Sequence, residues 1–405
     1  MLSASSHTAS VRYHARRTSS PAALVACIAA LAGSVPAAEA AYGLSKAYEG
    51  SSFFDGWDFY GHYDNLTNGD IDYVNQTDSS DLAYVTPSGN VILKMDNVSE
   101  VLYPNKRRSV RIETADTYPI GSMWIFDFNH VPYGCSVWPS AWASSETWPQ
   151  GGEIDTFEGV NLIATNQYAL HTAAGCTASN GTSENFSGTL TYGNCDSNAN
   201  FNSGCTIRDP RAASYGSAFA AANGGVWATQ LAKDGISIWF FSRADVPADL
   251  AGNSSTPSPD GWGTPVAYYP SSSCATPDFF SPQHLVLTMT ACGDWAGNAA
   301  VMNSTGCPLT TDLCYTSYVL QSSNFDNAYF DINSIRVFYD ADRAADSAAR
   351  TTATATSSSG TSATGSPGAG GSSAASKDRR AGSVRALLAA LAGSAVMTVA
   401  GWMVV

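Results

Sequence analysis

Glu153, Asp155 and Glu158 stand within six positions of one another in the run GGEIDTFEGVN, residues 151–161. Carboxylates this close repel one another and are costly to desolvate, so their clustering points to chemistry. A carboxylate pair hydrolyses glycosidic bonds: one attacks the anomeric carbon, while the other protonates the leaving oxygen and then activates water. The residues between the acids are β-branched or aromatic, which reads as a strand. Alternate side chains of a strand share a face, so Glu153 and Asp155 point one way and Glu158 has the wrong parity. One extra residue, a β-bulge at Thr156-Phe157, would re-aim Glu158. All three acids would then line one groove, with Ile154 and Phe157 on the buried side. The two glutamates would lean over Asp155 to roughly 5 Å, the separation of an enzyme that retains anomeric configuration. Asp155 would tune both by hydrogen bonding and like-charge coupling. A solvated acidic edge strand is the plainer alternative, and the flanking glycines and tryptophans weigh against it.

Sugars present C–H-rich faces to aromatic rings and leave their hydroxyls for polar groups, so tryptophans near the acids are candidate binding residues. Trp138, Trp142 and Trp148 precede the acidic run, and Trp295 lies in CGDWAGN, residues 292–298. The alternative for each is a place in the core. Trp148 and Trp295 have Gly, Pro or Asp nearby, which favours loops.

The acidic run resembles the active-site strand of glycoside hydrolase family 16, and its bulged E-x-D-x-x-E form is similar to the fungal endo-1,3(4)-β-glucanase (laminarinase and mixed-linkage glucanase) branch. The resemblance extends through SVRIET (109–114), FNHVPYGCSVWPSAW (128–142), NQYALHT (166–172), GGVWATQL (224–231), GISIWFF (235–241) and YFDINSIRVFYD (329–340), covering about residues 42 to 342. It implies that Glu153 is the nucleophile, Glu158 the acid/base and Asp155 the assisting carboxylate. It implies a histidine beside the acid/base at His171, which on a neighbouring strand would bond Glu158 or the substrate. It also brings forward Arg111 and Asn129 as hydroxyl-binding groups, although Arg111 would equally serve a structural ion pair with Glu113. No cofactor and no metal site is expected.

The chain has 405 residues and a formal charge of −14, with 13% charged and 11% aromatic residues. That acidity argues against nucleic acid and anionic membranes and suits a neutral β-glucan polysaccharide. Short runs rich in Val, Ile, Tyr, Phe and Trp alternate with Gly, Asn, Ser and Pro clusters, as at 90–95, 122–128, 236–241, 284–290 and 332–339. These predict an all-β fold, a jelly-roll β-sandwich of the concanavalin A-like kind with a concave substrate groove, over residues 41–345. Only 212–222 reads as a short helix. A monomer is expected.

Residues 1–40 read as a signal peptide, with Arg12, Arg16 and Arg17 before an apolar run and an A-x-A site at 38–40. An uncleaved anchor is the alternative. Of nine cysteines, Cys27 falls in this segment, and the remaining eight suggest four disulfides, with Cys307 and Cys314 close enough in sequence to pair locally. Seven N-x-S/T sequons, at Asn65, Asn75, Asn97, Asn180, Asn185, Asn253 and Asn303, suggest glycosylated loops. Residues 346–373 form a Ser/Thr/Ala/Gly-rich stalk, and 374–405 match a GPI-attachment signal with an apolar tail, a retained transmembrane helix being the alternative. The expected product is thus a secreted, surface-anchored enzyme at the membrane or wall. A wall transglycosylase of the same family, a non-catalytic carbohydrate-binding protein and a structural wall mannoprotein are the competing readings.

Overall fold

The structure is a computed structural model that describes residues 42–178, 185–252 and 256–345. The signal peptide, stalk and GPI-signal segments lie outside the described residues, as do the sequons at Asn180 and Asn253. The remaining chain builds two eight-stranded antiparallel sheets packed face to face, a jelly-roll sandwich. One sheet runs in the order Thr189–Tyr192, Cys205–Arg208, Gln167–His171, Glu153–Glu158, Val137–Ser144, His284–Ala291, Arg111–Thr114, Trp57–Phe59, and its outward face is the groove. The opposing sheet has Ser122–His130, Gly225–Ala232 and Tyr329–Tyr339 at its centre.

The strands follow from the apolar alternation. Ile112, Ala141, Ile154, Leu170, Ile207, Leu285 and Leu287 of the groove sheet meet Trp124, Phe126, Phe128, Trp227, Phe330 and Ile335 of the opposing sheet in one buried cluster. The opposing sheet is covered on its far side too, by a second cluster that includes Tyr42, Ile125, Trp239, Leu250 and Trp262. Its strands are therefore buried on both faces, which is why their sequence is nearly continuous in apolar residues. The expected helix at 212–222 is broken: a 3₁₀ turn at Ala212–Ser214 and an α-helix at Gly216–Ala221 flank Tyr215, which is extended.

The four expected disulfides form, but not with the local pairing. Cys307 joins Cys135 and Cys314 joins Cys292, while Cys176 pairs with Cys274 and Cys195 with Cys205. Nearness in sequence was the wrong guide, because Cys135 and Cys292 are brought beside them by the sheet.

Candidate active site

The carboxylate strand Glu153–Glu158 carries the bulge where the spacing asks for it. Asp155 lies opposite Trp142 and Phe157 opposite Ala141, so Thr156 is an extra residue against that neighbour. On the other side Asp155 faces Ala169 and Glu158 faces Gln167. Thr156 and Phe157 both turn inward. Phe157 packs at 5.2 Å from the Trp227 ring of the opposing sheet, and the Thr156 hydroxyl lies 2.7 Å from Thr229 Oγ1 and accepts from Trp124 Nε1 at 3.2 Å. Two successive inward residues return Glu158 to the face of Glu153 and Asp155.

A bulge leaves backbone groups unpaired, and one buried side chain serves them. Asn166 Oδ1 accepts from Glu158 N at 2.9 Å, and Asn166 Nδ2 donates to Thr156 O at 3.0 Å. Asn166 is itself fixed through its backbone N–H to Ser214 Oγ at 2.9 Å. The glycines before the strand let a loop close over it: Gly152 has φ +75°, and a Cβ there would lie 2.4 Å from the Phe280 ring.

Strand register lays the groove out in rows. The Asp155 row continues through Trp142, Val286, Glu113 and Asp58, and the Glu158 row through Ser140, Thr288 and Arg111. Glu158 Oε1 accepts from Trp138 Nε1 at 2.9 Å and from Ser140 Oγ at 3.3 Å. Trp295 stands edge-on to Trp138 with ring centroids 5.4 Å apart. Trp142 is mostly buried on the groove floor and donates to Thr288 Oγ1 at 3.0 Å. Trp148 lies in the 145–152 loop and is 44% exposed. Arg111 forms the ion pair the sequence allows, with Nη2 3.7 Å from Glu113 Oε2, and its guanidinium lies 4.5 Å from the Tyr60 ring and 6.0 Å from that of Trp142.

Two expectations change. Asn129 is not in the groove: it lies on Ser122–His130 of the opposing sheet, donating to Asp331 and Asn333 in a polar cluster with Asp127 and Arg243. Its neighbours alternate inward as Phe126 and Phe128, so it faces away from the core on the far side of the sandwich. His171 is on the adjacent strand opposite Glu153, as expected, but its partner is Asp155: Nε2 lies 3.3 Å from Asp155 Oδ2, and Nδ1 meets Asn202 Oδ1 at 3.0 Å.

The electrostatics follow from this packing. Burial alone would lower the His171 pKa, but the charge of Glu153, the contact with Asp155 and the charge of Glu158 outweigh it and raise it to about 10. That direction favours the imidazolium, whose ring nitrogens face Asp155 Oδ2 and Asn202 Oδ1. Burial, then the charge of Glu153, pushes the Asp155 carboxyl well above the usual range despite His171. Glu158 keeps an accessible edge, yet the protein around its carboxyl raises its pKa by desolvation, against the lowering effects of Trp138 and the His171 charge. Glu153, Asp155 and His171 bring potential ligand atoms within 4.8 Å of one another.

Comparison with known proteins decides the family. Residues 57–338 match a family model described as an XgeA-like, catalytic GH16 domain. The chain belongs to glycoside hydrolase family 16. It is similar to a probable endo-1,3(4)-β-glucanase of Neosartorya fischeri, 38% identical over 325 residues, 78% of this chain and 48% of that protein. It thus spans about half the length of that relative. Among solved structures, a family 16 laminarinase of Phanerochaete chrysosporium, determined with β-glucans in its donor and acceptor sites, is 37% identical with a TM-score of 0.69, covering 74% of this chain and all of that one. An elongating family 16 β-1,3-glucosyltransferase is 33% identical with a TM-score of 0.67, covering 73% of this chain and 99% of that one. The family 16 domain is that of a glycoside hydrolase.

Residues the sequence did not single out complete the site. Ser140, Asn166 and Asn202 hold Glu158, the bulge and His171. Asp64 accepts from Leu66 N, Thr67 N, Gly69 N and Thr290 Oγ1, and so fixes the loop that brings Asn65 Oδ1 to Arg111 Nη1 at 3.3 Å. Of these only Asn166 carried a visible signal, a polar residue opening NQYALHT.

Proposed function

We propose that this domain is a secreted, retaining, endo-acting β-glucanase that cleaves β-1,3- and mixed β-1,3/1,4-glucans. In this reading Glu153 attacks C1 of a β-glucosyl unit while Glu158 protonates the departing oxygen. The leaving sugar takes the proton of Glu158, and a glycosyl ester forms on Glu153. Glu158, now a carboxylate, removes a proton from water as the water oxygen attacks the same carbon, the ester bond breaks to release the Glu153 carboxylate, and the product keeps the β-configuration. The observation that carries the reading is the bulge that returns Glu158 to the face of Glu153 and Asp155, with its pKa raised by burial. A raised pKa suits an acid that must hold its proton near neutrality. His171 beside Asp155 places a basic group among the three crowded carboxyls. Trp138, Trp142, Trp148, Trp295 and Arg111 supply the groove's apolar and polar contacts to the sugar chain.

The glucosyltransferase neighbour favours a second reading, in which a sugar hydroxyl replaces water as acceptor and the same site elongates β-1,3-glucan. Surface attachment through the carboxy-terminal pattern belongs to this proposal too, and four disulfides suit an oxidising compartment. The test is product analysis by mass spectrometry after incubation with laminarin and barley β-glucan. Short oligosaccharides from both polymers, lost in Glu153→Gln, support hydrolysis. Products longer than a defined starting oligosaccharide support transfer. Unchanged glucans would overturn both.

A further inference from the structure

Three successive residues of the 195–205 loop, Asn200, Phe201 and Asn202, adopt left-handed backbone conformations with φ of 49°, 56° and 57°. Asparagine tolerates this region, but phenylalanine does not adopt it without strain. The Phe201 side chain gains no burial in return, being 106% exposed. A strained residue that displays an apolar ring to water persists only where the surrounding structure over-determines it, and such residues cluster at functional sites.

The surrounding loop does over-determine it. The Cys195–Cys205 disulfide closes the loop, Asn202 N donates to Ala199 O at 3.0 Å, and Ser203 Oγ donates to Asn200 O at 2.6 Å. Asn202 Oδ1 meets His171 Nδ1, which ties the loop to the carboxylate cluster. Gly204, with φ +64°, passes so close that a Cβ would lie 2.8 Å from His171 Nε2. Phe201 is therefore held one residue from a side chain that touches His171. On the same flank, Tyr192 lies opposite Thr206, which lies opposite Ala169, which lies opposite Asp155. Tyr192 is half exposed and ends the Asp155 row on the side away from Trp142 and Glu113.

We propose that Phe201, together with Tyr192 on the adjoining strand, is the sugar-stacking platform of the groove half opposite Trp142 and Arg111, taking the C–H face of a β-glucan glucosyl ring. An aromatic ring and a pyranose face pair without charge, which suits a neutral polymer. The stapled turn fixes the backbone that carries the ring, so only the side-chain rotamer is ordered when the sugar arrives. The inference rests on the β-glucanase reading, and its test separates the two.

Phe201→Asn and Phe201→Trp are compared with the parent on laminari-oligosaccharides of increasing length, alongside thermal melting. Asparagine relieves the left-handed strain and removes the ring. Phe201→Asn is expected to melt above the parent while KM rises about 5–10-fold on chains long enough to reach the loop. kcat stays, the shortest chains are unaffected, and Phe201→Trp restores KM. Phe201→Ala, measured in parallel, gives the same rise in KM without relief of strain. An active parent with the same KM in all variants at every length would overturn the platform alone. A parent that cleaves no β-glucan, and as Glu153→Gln is not retarded by any in affinity electrophoresis, would overturn the glucanase reading and the platform with it.

Discussion

Trp138→Phe isolates the hydrogen bond that holds the Glu158 pKa down against burial. Trp138 Nε1 donates to Glu158 Oε1 at 2.9 Å, and this bond lowers a pKa that burial raises. A hydrogen bond to a charged group contributes about 1.5–3 kcal/mol. At about 1.4 kcal/mol per pKa unit, its full loss would raise Glu158 by roughly 1–2 units. Ser140 Oγ stays within 3.3 Å of the same oxygen and water can enter the space, so a shift of about 1 unit is expected. The sign is fixed: removing a donor destabilises the carboxylate, so Glu158 holds its proton to higher pH. If Glu158 is the acid, the basic limb of the kcat/KM profile moves up in pH and the acid limb does not. Loss of a sugar contact from Trp138 would lower the whole profile without moving either limb. A basic limb that stays fixed or moves to lower pH refutes the assignment of Glu158.

Other substitutions test the rest of the site. Glu158→Gln should abolish turnover on polysaccharide yet raise Tm at neutral pH. The raised pKa of Glu158 means its stabilising contribution is full below the unfolded value and is lost as pH rises through the folded one, so the gain from Gln should vanish in acid; each 1 kcal/mol would appear as about 2 °C. Asn166→Ala strands the buried Glu158 N–H and Thr156 C=O, at about 1–3 kcal/mol each, and should lower both Tm and kcat, read by calorimetry and initial rates. Asn129→Ala should leave kcat and KM for laminarin unchanged, because Asn129 lies on the far sheet. Removing the Cys195–Cys205 crosslink by a double Ser substitution should cost about 3 kcal/mol of stability in denaturant titration.

The carboxylate strand was legible because its chemistry and its periodicity conflict, and only an inserted residue reconciles them. The strands expected at 122–128 and 332–339 were legible from their apolar runs, and the structure extends them to Ser122–His130 and Tyr329–Tyr339. Contacts between distant segments were not. Asn129 lies in the same family-like segment, 128–142, as Trp138, and nothing local says that the chain crosses from one sheet to the other between them. His171 was placed on the right strand, but its choice of Asp155 over Glu158 depends on the bulge, which moves Glu158 along the register. Cys135 lies on the same crossing between sheets, and its partner Cys307 is 172 residues away. Phe201 gave no signal, because left-handed strain at a non-glycine residue is a property of the closed loop rather than of its composition.

The most direct test of the central claim is to trap the covalent intermediate. A β-laminaribiosyl fluoride with fluorine at C2 of the reacting sugar slows both steps, and a good leaving group lets the ester accumulate. Peptide mass spectrometry then reads where it sits. The account predicts one glycosyl adduct on the peptide containing Glu153, mapped to that residue and absent from Glu153→Gln. An adduct on Glu158 or Asp155, or turnover by Glu153→Gln at the parent rate, would contradict it.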